Sequence, residues 1–382
     1  MGKENQEPLG MEKIKMVDLK SQYLRIKPEI DRAIQQVLDT TAFIQGPDVQ
    51  QFANSLADYL EVKTVIPCAN GTDALQIAMM ALGLKPGDEV ILPVHTYVAT
   101  AEVIALLGLK PIFIDVDANS FNLDITQLEN KITPLTKAIV PVHLYGQCAD
   151  MEPVLKIAGT RNIFVVEDVA QALGAEYTFS DGRKRKAGTM GHIGTTSFFP
   201  SKNLGCYGDG GAIFTDDKRL GDKMKMISNH GQQVKYHHDI IGINSRLDTL
   251  QAAILNVKLK YLDGYASKRN EAASSYDNNL NSIPQIKIPY RSGNSNHVYH
   301  QYTIKAERRD ELKNYLQENG IPTMIYYPVP LHFQNAYKQL GIGEGAFPVT
   351  EGLSKTVLSL PMHTEMDTEE LAYICDTIKK FY

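Results

Sequence analysis

Lys202 stands directly after an apolar run and ahead of a glycine-rich turn, in TTSFFPSKNLGCYGDGG. A lysine stem rooted in such a place is drawn out of water, which lowers the pKa of its amine and favours Schiff-base chemistry. Taken alone, a lysine is far more often a solvated charge. Its company changes the reading. NIFVV ends in Glu167-Asp168, with Gln171 three residues on. A carboxylate at the end of an apolar strand is costly unless a cation or an N–H group faces it, and a salt bridge to a structural cation is the plainer role for Asp168. KTVIPCAN runs into Gly71-Thr72 at the start of a helical pattern. Free N–H groups and a hydroxyl there suit a phosphate, or simply cap the helix. Ser197, five residues before Lys202, offers a second hydroxyl, and DEVILPV ends in His95-Thr96-Tyr97. Tyr97 is either core filling or a flat plate against a ring. A phosphate cup, a carboxylate for a ring nitrogen, an aromatic plate and a lysine together are what pyridoxal phosphate requires. Gly205, Gly208, Gly210 and Gly211 do not form GxGxxG between a strand and a helix, which disfavours a dinucleotide fold, and neither GxxxxGK[ST] nor HExxH occurs.

These groups need a frame. From about residue 48 to 230 the apolar runs KTVIPCAN, DEVILPV, KPIFIDV, TKAIVPVHL, NIFVVEDVA, TTSFF and GAIFT alternate with helical patterns such as GTDALQIAMMALGL, TYVATAEVIALLGL and DMEPVLKIAG. Strands apolar throughout and spaced by helices predict a mostly parallel sheet buried on both faces, a three-layer α/β domain. In such sheets ligands bind at the carboxyl ends of the strands, so the four polar strand ends converge on one crevice. The pattern then changes to one long helix over 246–280, strand-like HQYTIKA and TMIYYPV, and helices over 308–319 and 367–380. We expect a polar lead-in over 1–16, a large cofactor-binding α/β domain over 17–255 and a smaller C-terminal α+β domain over 256–382.

Composition narrows the class. Hydrophobic residues make up 43% and charged residues 22%, and Lys plus Arg (39) against Asp plus Glu (44) leaves a net charge of −5. That mixed, mildly acidic balance disfavours a nucleic-acid partner. No apolar stretch approaches the ~18 residues needed to cross a bilayer, and the polar start MGKENQEPLG lacks the apolar region of a signal peptide. Cys68, Cys148, Cys206 and Cys375 form no CxxC pair and read as free thiols of a cytoplasmic protein.

VVEDVAQALGA and SFFPSKNLGCYGDGGAIFT closely resemble the DegT/DnrJ/EryC1/StrS family of sugar aminotransferases, over nearly the whole chain after about residue 16. The resemblance implies the fold-type I, aspartate-aminotransferase-like architecture. It also implies that Lys202 is the Schiff-base lysine and proton shuttle, and that Asp168 pairs with the pyridinium nitrogen. Gln171 would touch the ring face or its phenolic oxygen, Tyr97 would stack on the ring, and Gly71, Thr72 and Ser197 would hold the phosphate. By the same resemblance Asn244, in GINSRLD, reaches the phosphate of a partner subunit, so that a homodimer with shared sites is the minimal active unit. The cofactor cycles between pyridoxal and pyridoxamine phosphate, with L-glutamate as amine donor.

CANGTDALQIAMMALG, LYGQCADM, HGQ with KYHH, and INSRLDTLQAAIL are similar to a branch of that family acting on C3 of UDP-2-acetamido-2-deoxy-3-oxo-glucuronate. Those enzymes serve bacterial surface polysaccharide (lipopolysaccharide and O-antigen) synthesis. A uronate carries a carboxylate, whose natural partner is a bidentate arginine; Arg246 holds the matching place, or else pairs on its own helix. Tyr326 and Tyr327 fall where the branch often has His-Tyr. Tyr326 departs from that pattern: it can donate to a sugar hydroxyl but cannot become a cation near neutral pH. A dTDP-3-keto-6-deoxyhexose 3-aminotransferase is the alternative. Deoxysugar dehydratases of the family replace the lysine with His, against Lys202, and a silent regulator would erode the cofactor set, which is intact. His237-His238 reads as a loop at the dimer or substrate mouth rather than a metal site.

Overall fold

The computed structural model describes residues 14–382; residues 1–13 of the expected lead-in lie outside it. Two amphipathic helices, α1 (Leu19–Thr40) and α2 (Pro47–Leu60), come first. Strands and helices then alternate: β1 (Thr64–Cys68), α3 (Gly71–Leu82), β2 (Glu89–Pro93), α4 (Ala99–Leu106), β3 (Lys110–Ile114), α5 (Ile125–Lys131), β4 (Thr136–Ile139), α6 (Met151–Arg161) and β5 (Phe164–Asp168). A ribbon of β6 (Glu176–Thr178) and β7 (Lys184–Lys186) leads into β8 (Ile193–Ser197), β9 (Gly211–Thr215) and α7 (Lys218–Ile227).

The seven apolar runs of the sequence are the seven strands of one sheet, ordered β1-β9-β8-β5-β4-β2-β3. The pairings from β8 through β3 are parallel, and β9 alone runs against its neighbours. Because side chains alternate along a strand, Ile91, Ile139 and Val165 join one apolar layer, while Val90, Leu92, Ala138 and Val166 join the other. Both faces are buried, which is why the strands read as unbroken apolar runs. Helix α3 begins where Asn70 caps it, accepting from the Asp73 N–H at 2.8 Å, and stops at Gly83, whose φ of +72° only glycine adopts freely.

The remainder contains a hairpin, β10 (Gln232–Val234) and β11 (His237–His238), then α8 (Thr249–Leu259), α9 (Leu262–Leu280), β12 (Ile286–Lys287), β13 (Tyr302–Ala306), α10 (Arg309–Glu318), α11 (Pro348–Thr356), β14 (Val357–Leu360) and α12 (Thr368–Phe381). Strands β12, β13 and β14 form a small antiparallel sheet, against which Tyr276, Leu316 and Ile374 pack. Ile14, within the span expected as a lead-in, is buried in the same cluster.

Two expectations change. The long helix over 246–280 is two helices, broken at Lys260-Tyr261, where the Tyr261 N–H turns back to the Lys258 carbonyl and the Tyr261 hydroxyl is held by Glu29 of α1. TMIYYPV is not a strand: only Met324 pairs with Ser359, and Pro328 and Pro330 cannot donate to a ladder.

Glu167 is fully buried at the end of β5 and ties down the segment leading to β8. Its carboxylate accepts from the N–H groups of Gly188 (2.8 Å), Met190 (2.7 Å) and Gly191 (2.6 Å). His143 Nδ1 accepts from Ala149 N–H, so its Nε2 carries the proton and donates to Glu167 at 2.9 Å. Glu167→Gln places an NH₂ against these donors, and we expect a loss of about 2–4 kcal/mol, read as a lower guanidinium midpoint; an unchanged midpoint would contradict this role.

Candidate active site

The ends of β1, β2, β5 and β8 deliver their polar residues to one crevice. Lys202 follows β8 in a tight loop: its N–H donates to the Phe199 carbonyl (2.8 Å), and the Cys206 and Phe198 N–H groups close the loop on Phe198 and Gly210. A Cβ on Gly205 would come 2.2 Å from the Pro200 carbonyl oxygen, so the turn after the lysine requires glycine. The stem is half-buried. Burial draws the amine down to about 8, with the Asp168 carboxylate pulling the other way.

Asp168 is 7% exposed and clamped by neutral donors, Thr100 Oγ1 at 2.8 Å and the Ala170 N–H at 3.1 Å. The paired structural Lys or Arg of the plainer reading is absent within ion-pair distance among the described residues. Gln171 is fixed at both ends of its amide: Oε1 accepts from the Tyr145 N–H (2.7 Å) and Nε2 donates to the Tyr327 hydroxyl (3.1 Å). The Tyr145 hydroxyl donates to the Tyr326 carbonyl, so His95 Nε2 donates to the Tyr145 oxygen at 3.2 Å. Burial pushes His95 down to about 4 and holds it neutral. Tyr97, 59% exposed, stands with its ring centre 6.2 Å from that of Tyr327. It therefore stands at the rim and is not core filling.

Gly71, Thr72 and Ser197 meet at the start of α3. A Cβ on Gly71 would lie 2.7 Å from Ser197 Cβ, so only glycine lets the helix begin against the end of β8. The Asp73 and Ala74 N–H groups are taken by Asn70, which leaves the Gly71 and Thr72 N–H groups ahead of the first intrahelical bond. Pyridoxal phosphate fits this donor set: a glycine-built cup with N–H and hydroxyl donors, a fixed carboxylate, an exposed aromatic plate and a lysine amine with a lowered pKa.

Asn244 and Arg246 stand apart. Asn244 is exposed and bridges Asn229, while its neighbour Ser245 accepts from the Ala69 N–H at 3.1 Å. Arg246 is half-buried and lines a cavity of about 600 Å³ along the β1 edge, with Lys63 and Lys225 but without Lys202, Asp168 or Gln171. Tyr326 and Tyr327 enter from the irregular segment after α10. His237 and His238 lie on an exposed hairpin strand instead of the expected loop. Sequence reasoning missed Thr100 and Tyr145. Thr100 had a readable signal, a hydroxyl three residues beyond Tyr97 near the start of the next helix; Tyr145 had none.

Residues 24–379 match the DegT/DnrJ/EryC1/StrS aminotransferase family. The chain is 47% identical over 362 residues to a UDP-2-acetamido-2-deoxy-3-oxo-D-glucuronate aminotransferase of Pseudomonas aeruginosa, spanning 95% of this chain and 98% of that one. It is 45% identical over 371 residues to a pleiotropic regulatory protein of Geobacillus stearothermophilus, spanning 97% and 98%. It is similar in structure to DesV of S. venezuelae in complex with a ketimine intermediate (TM-score 0.94, 38% identity, 97% and 99% covered). NtdA of Bacillus subtilis with bound cofactor PMP also superposes (TM-score 0.88, 34% identity, 98% and 86% covered).

The lowered amine pKa is testable without any substrate. In cofactor-free protein an amine-selective reagent should modify Lys202 with half-maximal rate near pH 8, while exposed lysines follow near their ordinary value of about 10.4. Peptide mapping by mass spectrometry separates the two; a Lys202 that titrates with the exposed lysines is not desolvated.

Proposed function

Because the chain belongs to the DegT/DnrJ/EryC1/StrS aminotransferase family, we propose that it uses pyridoxal phosphate to move an amino group from L-glutamate to C3 of UDP-2-acetamido-2-deoxy-3-oxo-glucuronate, supplying an amino sugar for a bacterial surface polysaccharide. The observation that carries the reading is Lys202: an amine drawn to about 8 in a crevice it shares with Asp168. The Pseudomonas aeruginosa relative, at 47% identity, supports the choice of sugar. The regulatory relative lends its name to a second reading, but a chain that only regulates has no use for a complete cofactor set.

When bound, pyridoxal phosphate supplies an electron sink that stabilises negative charge at the carbon bearing the amine. The chain does the rest. Lys202 Nζ would hold the cofactor and would carry the proton to and from the substrate carbon; a pKa near 8 keeps part of the amine neutral at working pH. Asp168, oriented by Thr100 and Ala170, holds a proton on the ring nitrogen. Gly71, Thr72 and Ser197 would bind the phosphate, Tyr97 would cover the ring, and Gln171, fixed by Tyr145 and Tyr327, would contact it. Asn244 and Arg246 complete the site from the partner subunit of a homodimer, Asn244 at the phosphate and Arg246 at the uronate carboxylate. Tyr326 and Tyr327 take sugar hydroxyls.

The decisive experiment runs the reaction backwards, because keto sugars are unstable. Holoenzyme is mixed with UDP-2-acetamido-3-amino-glucuronate or with a dTDP-3-amino-6-deoxyhexose, and the visible absorbance of bound pyridoxal phosphate is followed. Bleaching by the uronate alone supports the proposed sugar; bleaching by the dTDP sugar alone replaces it, and bleaching by neither leaves the regulator. Lys202→Ala should lower both half-reactions by at least ~10³-fold and Asp168→Asn by at least ~10²-fold. Arg246→Ala should raise KM for the uronate by roughly 10–150-fold, the worth of a charged hydrogen bond, and leave neutral sugars unaffected; an equal effect on both would remove Arg246 from the carboxylate.

A further inference from the structure

The Gln171 amide lies between two tyrosines that leave it no choice of direction. Tyr145, 2% exposed, turns its backbone left-handed at φ +58°, a region that side chains other than Asn, Asp and His visit rarely. The neighbouring chain holds it there. A Cβ on Gly146 would lie 2.8 Å from the Tyr299 nitrogen, and the Val298 N–H donates to the Gly146 carbonyl at 2.8 Å. The turn aims the Tyr145 N–H at Gln171 Oε1, 2.7 Å away. An N–H can only donate, so the amide oxygen faces Tyr145 and the NH₂ faces the other way. On that side Nε2 lies 3.1 Å from the Tyr327 oxygen. An NH₂ can also only donate, so the Tyr327 oxygen accepts.

The Tyr327 proton is therefore left to give. No acceptor among the described residues takes it, and the nearby Tyr326 carbonyl already receives the Tyr145 hydroxyl. Burial, with the charge of Asp168 adding to it, raises the phenol and keeps it protonated. The ring stands among the residues of the crevice, its centre 6.2 Å from that of the exposed Tyr97 and 6.0 Å from that of His95. A substrate carbon that exchanges its amine must come to this crevice, and the carbons bonded to it come too. Resting on the uronate reading above, we propose that Tyr327 determines specificity by giving its phenol proton to the C4 oxygen of the sugar. Gln171 is the positioning residue that fixes the direction of that bond. C4 is bonded to the reacting C3 and carries the one free ring hydroxyl of this sugar, since C2 bears the acetamido group and C5 the carboxylate. A sugar without oxygen at C4 leaves the Tyr327 donor unpaired, and such a site rejects it.

The test mixes holoenzyme at pH 8 with UDP-2-acetamido-3-amino-glucuronate and, separately, with the same uronate lacking the C4 hydroxyl. The second-order rates of bleaching of bound pyridoxal phosphate give the preference between them. Wild type should favour the 4-hydroxy sugar by roughly 5–150-fold. Tyr327→Phe keeps the ring, removes only the hydroxyl and should bring the two sugars close to equality. Gln171→Glu keeps the shape and still accepts from the Tyr145 N–H, but at pH 8 it offers Tyr327 a carboxylate in place of an NH₂. Tyr327 then gives its proton to the glutamate, so the preference should vanish with the phenol intact, and adding Tyr327→Phe should change it no further. A merely structural Gln171 would slow both sugars alike and leave their ratio unchanged. A preference that persists in either variant overturns the proposal. So does a Tyr327→Phe enzyme whose bound cofactor shifts its absorbance while the preference stays intact, because the proton then goes to the cofactor. Equal bleaching of the wild type by the two uronates removes the proposal alone; bleaching by a dTDP-3-amino-6-deoxyhexose instead of either uronate removes the substrate reading beneath it.

Discussion

Two consecutive carboxylates end the central strand β5, and the rest of the site depends on how both are accommodated without a lysine or arginine in direct contact. Side-chain alternation sends them to opposite sides. Glu167 is satisfied by three backbone N–H groups and a histidine, a set that only a tightly folded segment can provide. Asp168 is satisfied by one hydroxyl and one N–H, and so keeps accepting capacity toward the crevice. Glu167 anchors the segment that feeds β8, and β8 in turn launches Lys202 (Gly188 through Ser197). One strand end thus sets both the carboxylate and, one strand over, the amine that faces it.

The residues that hold Gln171 come from distant parts of the chain. Tyr145 links β4's exit to Gln171 through its N–H and to the Tyr326 backbone through its hydroxyl, and Tyr327 closes the ring by receiving Gln171. The segment bearing Tyr326 and Tyr327 is rich in proline and cannot be a sheet strand. Freed from a ladder, it lies against the crevice, with the Tyr326 carbonyl on Tyr145 and the Tyr327 phenol on Gln171. Burial raises the Tyr327 phenol and keeps it protonated, which suits a group that donates or accepts hydrogen bonds rather than one that titrates.

The polar interior extends behind the lysine loop. Lys258 on α8 and Arg269 on α9 are buried on either side of the break at Lys260-Tyr261. Lys258 stands over the Tyr207 ring, and Arg269 gives NH1 to the carbonyls of Tyr299, His300 and Met362.

Much of the architecture was legible because a strand buried on both faces has an unmistakable pattern: every one of the seven apolar runs became a strand, Asp168 and Ser197 end two of them, and Gly71 and Lys202 follow just beyond strand ends. Strand order, the reversed direction of β9 and the convergence on one crevice required the folded sheet, since no local pattern encodes which strands pair. Thr100 and Tyr145 became site residues only through the fold, because each acts by a hydrogen bond to a group tens of residues away. The helix break and the lost TMIYYPV strand have the same origin. Periodicity reports which faces are apolar, whereas Glu29 gripping Tyr261 and the prolines near Tyr327 are settled by long-range contacts and by backbone donors that proline lacks. Residue type and spacing determined which chemistry was available; tertiary packing decided which of those groups lost water and found each other, and that alone shifts a lysine amine toward neutrality.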